Sequence, residues 1–312
     1  MIKITKVNND EFELYDDMEV KVKQTGHITE IKTTLGAKAE QRIQKIDADT
    51  YVVLETGELK EFNHTENRIE NATSLRQSMK NLRDIINTNC TVADRCKFIT
   101  LTYKENMTDS KRLYEDIKKF HMRLRYNLDQ KFEYITCIEP QARGAYHAHE
   151  ILIFSGKAPY IPNTKIAEIW GHGFTKTTKI DSIDNIGAYL TAYLCNLPVE
   201  QSDIKILKAA KATDLKEVEA VDTDGNKIKK AVIKGARLKF YPKGFRFYRC
   251  SRGIKRPEIQ VCTYAKARKM VGNAPLVYEK TIELSNENGL INKINYRQYN
   301  SSRKPKGAEN ED

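Results

Sequence analysis

The spacing of apolar and polar positions changes several times along the chain, and each change marks a predicted element. Residues 1–70 alternate over short stretches. Glu19-Val-Lys-Val-Lys23 puts its valines on one face, and Tyr51-Val-Val-Leu-Glu-Thr-Gly-Glu-Leu59 reads as a hairpin around Gly57. From Ser74 to Asn87 the period lengthens, with Leu75, Met79, Leu82 and Ile86 on one helical face. A strand (97–103), a helix (109–128), two strands (132–139 and 145–154), a short helix (164–170), a strand (173–180) and a helix (182–197) follow. A mostly antiparallel sheet with two hairpinned central strands and packed helices predicts an α+β fold. Residues 201–235 are rich in Lys and Ala, with Asp224-Gly225 as a hairpin tip, and the chain beyond Ser285 is polar. Four regions result: a β-rich extension with a helix (1–92), a central domain (93–200), a basic extension (201–284) and a tail expected to be disordered (285–312).

Two of these elements carry chemistry. Gly-Ala-Tyr-His-Ala-His-Glu-Ile-Leu-Ile-Phe (144–154) is an apolar strand interrupted by His147 and His149. Side chains alternate faces in a strand, so both imidazoles project from one face. The preceding strand runs into Glu139, and Pro140-Gln141-Ala142-Arg143-Gly144 reads as the turn between them. Folding that hairpin sets Glu139 opposite His147. Two imidazoles and a carboxylate form a divalent-metal site, whereas Glu150 alternates to the other face and is the poorer ligand. A histidine in an apolar strand is also a common hydrogen-bonded core residue.

The second element is the helix ending at Pro198. Asp181 or Ser182 can cap it, and Ile183, Ile186, Leu190, Leu194 and Leu197 form its buried stripe. Tyr189 and Tyr193, four apart, share a flank beside that stripe. Alone they could be half-buried core aromatics. Beside a metal they acquire a use, because a cation on a phosphodiester allows a phenol to attack in line and become a 5′-phosphotyrosine. Two histidines and a carboxylate also match the iron(II) oxygenases, but that reading leaves both tyrosines unused. A DNA-binding module without catalysis would tolerate the loss of both.

The chain resembles the HUH endonucleases, in particular the rolling-circle replication initiators of small plasmids and single-stranded DNA phages, of the filamentous-phage gene II type. Phe98-Ile-Thr-Leu-Thr-Tyr103 is similar to the first motif of that family, Tyr146-His-Ala-His-Glu-Ile151 to its metal motif and Tyr189-Leu-Thr-Ala-Tyr193 to its tyrosine motif. Trp170-Gly-His-Gly-Phe174 also looks like family sequence. The resemblance implies a ferredoxin-like or RNA-recognition-like sheet, a Mg²⁺ or Mn²⁺ ion on His147, His149 and Glu139, and nucleophiles at Tyr193 first and Tyr189 second. It also implies origin DNA as substrate, single-stranded or extruded as a hairpin at the nick site, and a borrowed helicase and single-strand-binding protein as partners. Relaxases and transposases of the superfamily use the same atoms. Many members carry lysines beside and three residues after the second tyrosine, where this chain has Ala192 and Asn196.

Charge adds a binding surface. The 312 residues carry a formal net charge of +11, and residues 1–20 hold six acids against two lysines. Between Lys234 and Met270 twelve Lys or Arg face one acid, a local net of +11, so the basic character resides there. Phe240, Tyr241, Phe245, Phe247, Tyr248 and Tyr264 interleave with it, and cations with flat rings suit single-stranded nucleic acid. Arg143, Lys243, Arg246, Arg249, Arg252, Lys255 and Arg256 are the expected DNA contacts. Six cysteines without a Cys-x-x-Cys pair read as reduced thiols, and the absence of a signal peptide or an apolar span predicts a soluble, cytoplasmic protein. No Gly-x-x-x-x-Gly-Lys-Ser/Thr motif is present for a helicase.

Overall fold

A computed structural model describes all residues except 1–2, 37–42, 48, 63–71, 142–143, 179–185, 202–214, 222–226, 243–244, 288 and 304–312. In chain order, β1 (Lys3–Val7), β2 (Glu19–Thr25), β3 (Ile28–Thr34), β4 (Ile43–Lys45), β5 (Thr50–Val53) and β6 (Leu59–Glu61) precede α1 (Ala72–Asn89). The central run is β7 (Cys96–Leu101), α2 (Ser110–Asn127), β8 (Phe132–Pro140), β9 (Tyr146–Phe154), α3 (Asn163–Trp170), β10 (Thr175–Thr178) and α4 (Ile186–Cys195). Then come β11 (Leu197–Pro198), β12 (Leu215–Val221), β13 (Lys227–Ile233), β14 (Tyr248–Cys250), β15 (Glu258–Thr263), α5 (Tyr264–Val271), β16 (Leu276–Asn286) and β17 (Gly289–Asn300). The expected order of the central elements is the observed one, and the fold is α+β with antiparallel sheets. Among the described residues no helix is long and apolar enough to cross a membrane.

The chain forms two compact units, Glu66–Arg256 and a discontinuous one made from Met1–Thr65 with Pro257–Asp312. In the discontinuous unit the six-stranded sheet runs β1-β16-β17-β3-β2-β15, so the N-terminal strands pair with the C-terminal ones. Val20, Val22 and Ile31 bury against Tyr264 and Ala267 of α5. The region beyond Ser285, expected to be a tail, instead carries β17. Ile294 and Asn295 are buried there, and Asn295 Nδ2 donates to Thr281 Oγ1 and Glu279 Oε1 at 2.9 Å each. A polar composition conceals this strand because much of its pairing energy is backbone and side-chain hydrogen bonding.

In the other unit the sheet order is β10-β7-β9-β8-β14. The histidine strand β9 is central, between β7 and β8. Asp109 caps α2, accepting from the amides of Lys111 and Arg112 at 2.8 and 3.2 Å. Phe120 and Leu124 of α2 join Ile99, Ile135, Ile151 and Trp170 in the main core. Helix α4 crosses α1 closely at Gly187, where a β-carbon would stand 2.4 Å from Arg83 O, and Gly187 N donates to Asn87 Oδ1 at 2.8 Å. The Trp170–Phe174 segment ties α3 to the end of β7 ahead of the edge strand β10: Trp170 Nε1 donates to Thr102 O at 3.0 Å, and Thr102 N to Phe174 O at 2.9 Å.

Candidate active site

The β8–β9 hairpin sets the site by register. Glu139 lies opposite His147 and Cys137 opposite His149, while Thr100 of β7 faces His149 from the other side. The turn depends on Gly144, whose φ of 88° is the left-handed conformation that disfavours other residues. Alternation then puts Glu139, His147 and His149 on one face. Glu150 points to the other, where its Oε2 accepts from Thr136 Oγ1 at 3.0 Å and meets His121 Nε2 of α2 at 2.8 Å. Glu150 is fully buried as part of the core and stays outside the site.

On the site face, His149 Nε2 hydrogen-bonds to Glu139 Oε2. The His149 ring stacks on Phe98, with centroids 5.5 Å apart, and its Nδ1 is 3.1 Å from Thr100 Oγ1. The amide of Gln141 lies 3.3 Å from His147 Nδ1. Both imidazoles are thus met at Nδ1 by a neutral side chain, which orients each ring, and the Nε2 of His149 is turned to Glu139. Glu139 has a second partner, Arg237 Nη1, 2.7 Å from Oε1. Burial pushes the Glu139 carboxyl up, but the hydrogen bond from His149 and the charges of His149, Arg237 and His147 outweigh it and hold the carboxyl below its ordinary range.

Arg237 and Tyr241 tie this carboxylate to the tyrosine helix. Arg237, only 3% exposed, also donates from Nη1 to Pro140 O and from Nε to Asn196 O, at 3.0 Å each. The Tyr241 hydroxyl bonds Ile138 O at 3.0 Å and Leu194 O at 3.1 Å. The end of β8 and the end of α4 are therefore clamped by one short segment. Tyr189 and Tyr193 occupy positions in α4, and their side chains lie outside the described residues. So do the proposed caps Asp181 and Ser182. Sequence reasoning missed Arg237 because it sits in a run of cations where nothing distinguishes a buried arginine from a solvated one. Thr100 belongs to the first motif and Gln141 to the turn, and neither position in the sequence signals its contact with a histidine.

The basic segment divides between core and surface. Tyr241, Phe245, Phe247 and Tyr264 are buried, so these rings are core residues and not the stacking platforms expected for bases. For Tyr241, Phe245 and Phe247 the reason is β14, which joins the central sheet against β8 and draws its neighbours inward, whereas Tyr264 is buried in α5 against β2 and β3. Arg246, Arg249, Arg252 and Arg256 remain exposed and line one groove of about 790 Å³ with Ser78 of α1. Arg249 stacks on the Tyr114 ring at 3.4 Å. Lys255 is exposed, with its backbone held by Asn89 through bonds of 2.9 Å. Arg143 and Lys243 lie outside the described residues.

Residues 96–197 match the replication-associated protein family of the ORF2 and gene II protein type. No curated protein matches the chain. The matched segment runs from β7 into β11 and contains Glu139, both histidines and the tyrosine helix. Its antiparallel α+β architecture agrees with an HUH-like fold. Arg237, Tyr241 and the arginine groove fall beyond it, so the clamp on Glu139 comes from outside the family-matched segment. The donor set, two imidazoles and a carboxylate on one face, is chemically suited to a divalent cation. Among the described residues, however, no three His, Cys, Asp or Glu groups are gathered tightly enough to enclose one.

Proposed function

We propose that this protein initiates rolling-circle replication by nicking and rejoining origin DNA through a tyrosine. The observation that carries this reading is the register of Glu139 opposite His147 within the family-matched segment that also contains the tyrosine helix. His147, His149 and Glu139 would hold Mg²⁺ or Mn²⁺. When bound, the cation neutralises the non-bridging oxygens of the scissile phosphate and orients phosphorus for attack. The residues around the ligands prepare for that task. Thr100 Oγ1 can accept the Nδ1 proton of His149, which would leave its Nε2 lone pair for the cation in place of the hydrogen bond to Glu139, while the Gln141 amide nitrogen donates to His147 Nδ1 and fixes that ring. His149 and Arg237 together keep Glu139 ionised, and Arg237 holds it in place.

Tyr193 then bonds phosphorus through its phenolic oxygen. The P–O3′ bond breaks, and the phenol's proton ends on the 3′ oxygen. The DNA 5′ end remains on the protein as a phosphotyrosine, which preserves the diester for rejoining. Tyr189, one turn away, is the nucleophile for a second transfer. Arg246, Arg249, Arg252 and Arg256 bind the strand backbone. A host helicase and a single-strand-binding protein complete the replication machinery, since the chain has no phosphate-binding loop of its own.

The test is incubation with supercoiled circular DNA carrying the intergenic region next to the gene, with and without EDTA. Nicked circles bearing protein on the 5′ end, formed only without chelator, are expected. Intact circles under both conditions, with the protein bound to them, would leave a DNA-binding module.

A further inference from the structure

A second groove, of about 400 Å³, runs along the crossing of α1 and α4. Its α1 wall presents Arg76, Lys80 and Arg83, spaced four and three apart and therefore on one helical stripe. Lys216 of β12 and Lys234 after β13 close the other side, and Ala188, Thr191, Ala192 and Cys195 of the tyrosine helix form its floor. No Asp or Glu is among the described residues that line it. Arg83 Nε lies 3.7 Å from Asp84 outside the groove, whereas Arg76, Lys216 and Lys234 have no acidic partner among the described residues.

Like charges four apart on a helix cost stability, and a concave surface of one sign concentrates its field. Both features are relieved by a polyanion. The groove also adjoins the site: Asn196 is among its lining residues, and the carbonyl of the same residue accepts from Arg237, which holds Glu139. It is separate from the arginine groove, which touches α1 at Ser78. We propose that the α1–α4 groove binds the sugar–phosphate backbone of single-stranded DNA as a second strand path leading to the tyrosine helix. This rests on the DNA-nicking reading and adds a binding surface to it. Small floor residues suit the role, because they let a backbone approach α4 closely.

The experiment measures binding of a fluorescent thymidine oligonucleotide to the full chain by anisotropy across a salt series. The variants are Arg76→Gln/Lys80→Gln/Lys216→Gln/Lys234→Gln and, separately, Arg246→Gln/Arg249→Gln/Arg252→Gln. The first should bind at least about tenfold more weakly, with a salt slope smaller by about 2 to 3, since each single-strand phosphate no longer neutralised removes ~0.7. A companion keeping the charge, Arg76→Lys/Lys80→Arg/Lys216→Arg/Lys234→Arg, should retain the slope. If the fourfold glutamine variant melts at a lower temperature than the wild type, the pair Lys80→Gln/Lys234→Gln substitutes for it, with a slope smaller by about 1.4. An unchanged slope in a folded variant, while the arginine-groove variant loses binding, overturns the second path and spares the nicking reading. Wild-type protein that does not bind the oligonucleotide overturns both, and binding to polyglutamate in preference to DNA assigns the groove to an acidic protein instead.

Discussion

Arg237 Nη1 stands 2.7 Å from Glu139 Oε1, and both side chains are buried. One arginine, beyond the family-matched segment, thereby fixes the acid of the proposed metal site and, through Asn196 O, the end of the tyrosine helix. Breaking such a pair strands a buried charge at a cost of about 3–5 kcal/mol. Arg237→Met is expected to lower stability by that amount in urea denaturation, and Arg237→Met/Glu139→Met to recover most of it. A single-variant loss below about 1 kcal/mol would show that the pair does not hold this corner together.

His147→Ala, His149→Ala and Glu139→Ala should each abolish nicking while leaving most affinity for uncut origin DNA. In the proposed reaction binding and chemistry are divided, because backbone contacts would hold the strand while the metal would act at one phosphate. Gel-shift and nicking assays on the same preparations check this. Loss of origin affinity in all three folded variants would contradict it.

Tyr193→Phe should eliminate the covalent adduct of the first nick, since only the hydroxyl is removed. Tyr189→Phe should still nick but fail to close the displaced circle. Peptide mapping of the DNA-linked product identifies the nucleophile. An adduct on Tyr189 in the first turnover reverses the order, and none on either residue excludes tyrosine transfer.

Replacing Arg246, Arg249 and Arg252 together should weaken DNA binding and flatten its salt dependence by about 0.7 to 0.9 for each phosphate left unneutralised. Their shared groove makes them neighbours, so their effects need not add. Unchanged salt dependence would mark this surface as solvated only.

Burial pushes the Cys195 thiol up to about 11 against the opposing pull of Arg237. Its folded value lies above the ordinary ~8.5 of an unfolded thiol, so the neutral form is favoured in the fold. The resulting stability is complete below about 8.5 and is lost as pH rises through about 11. Alkylation of Cys195 at pH 8, followed by peptide mass spectrometry, should be slow in the native protein and much faster in urea. Equal rates in the two states would refute the shift.

The hairpin, its register and the pairing of Glu139 with His147 were legible in the sequence. They follow from local rules: alternation with period two, a Pro/Gly turn of fixed length, and carboxylate and imidazoles on one face. The same rules put Glu150 on the opposite face and gave the order of the central elements. Long-range pairing was not legible. Nothing local says that β17 pairs with β3, that the chain ends build one sheet, or that β14 is an edge of the sheet that holds the histidine strand. The aromatics of the basic segment were read as surface for this reason, and Arg237 was lost among its neighbours. A cation's role depends on what folding places beside it, and here that was a carboxylate on a strand nearly a hundred positions earlier. Sequence determined the chemistry available to the site; tertiary packing decided which charges hold it and which face the solvent.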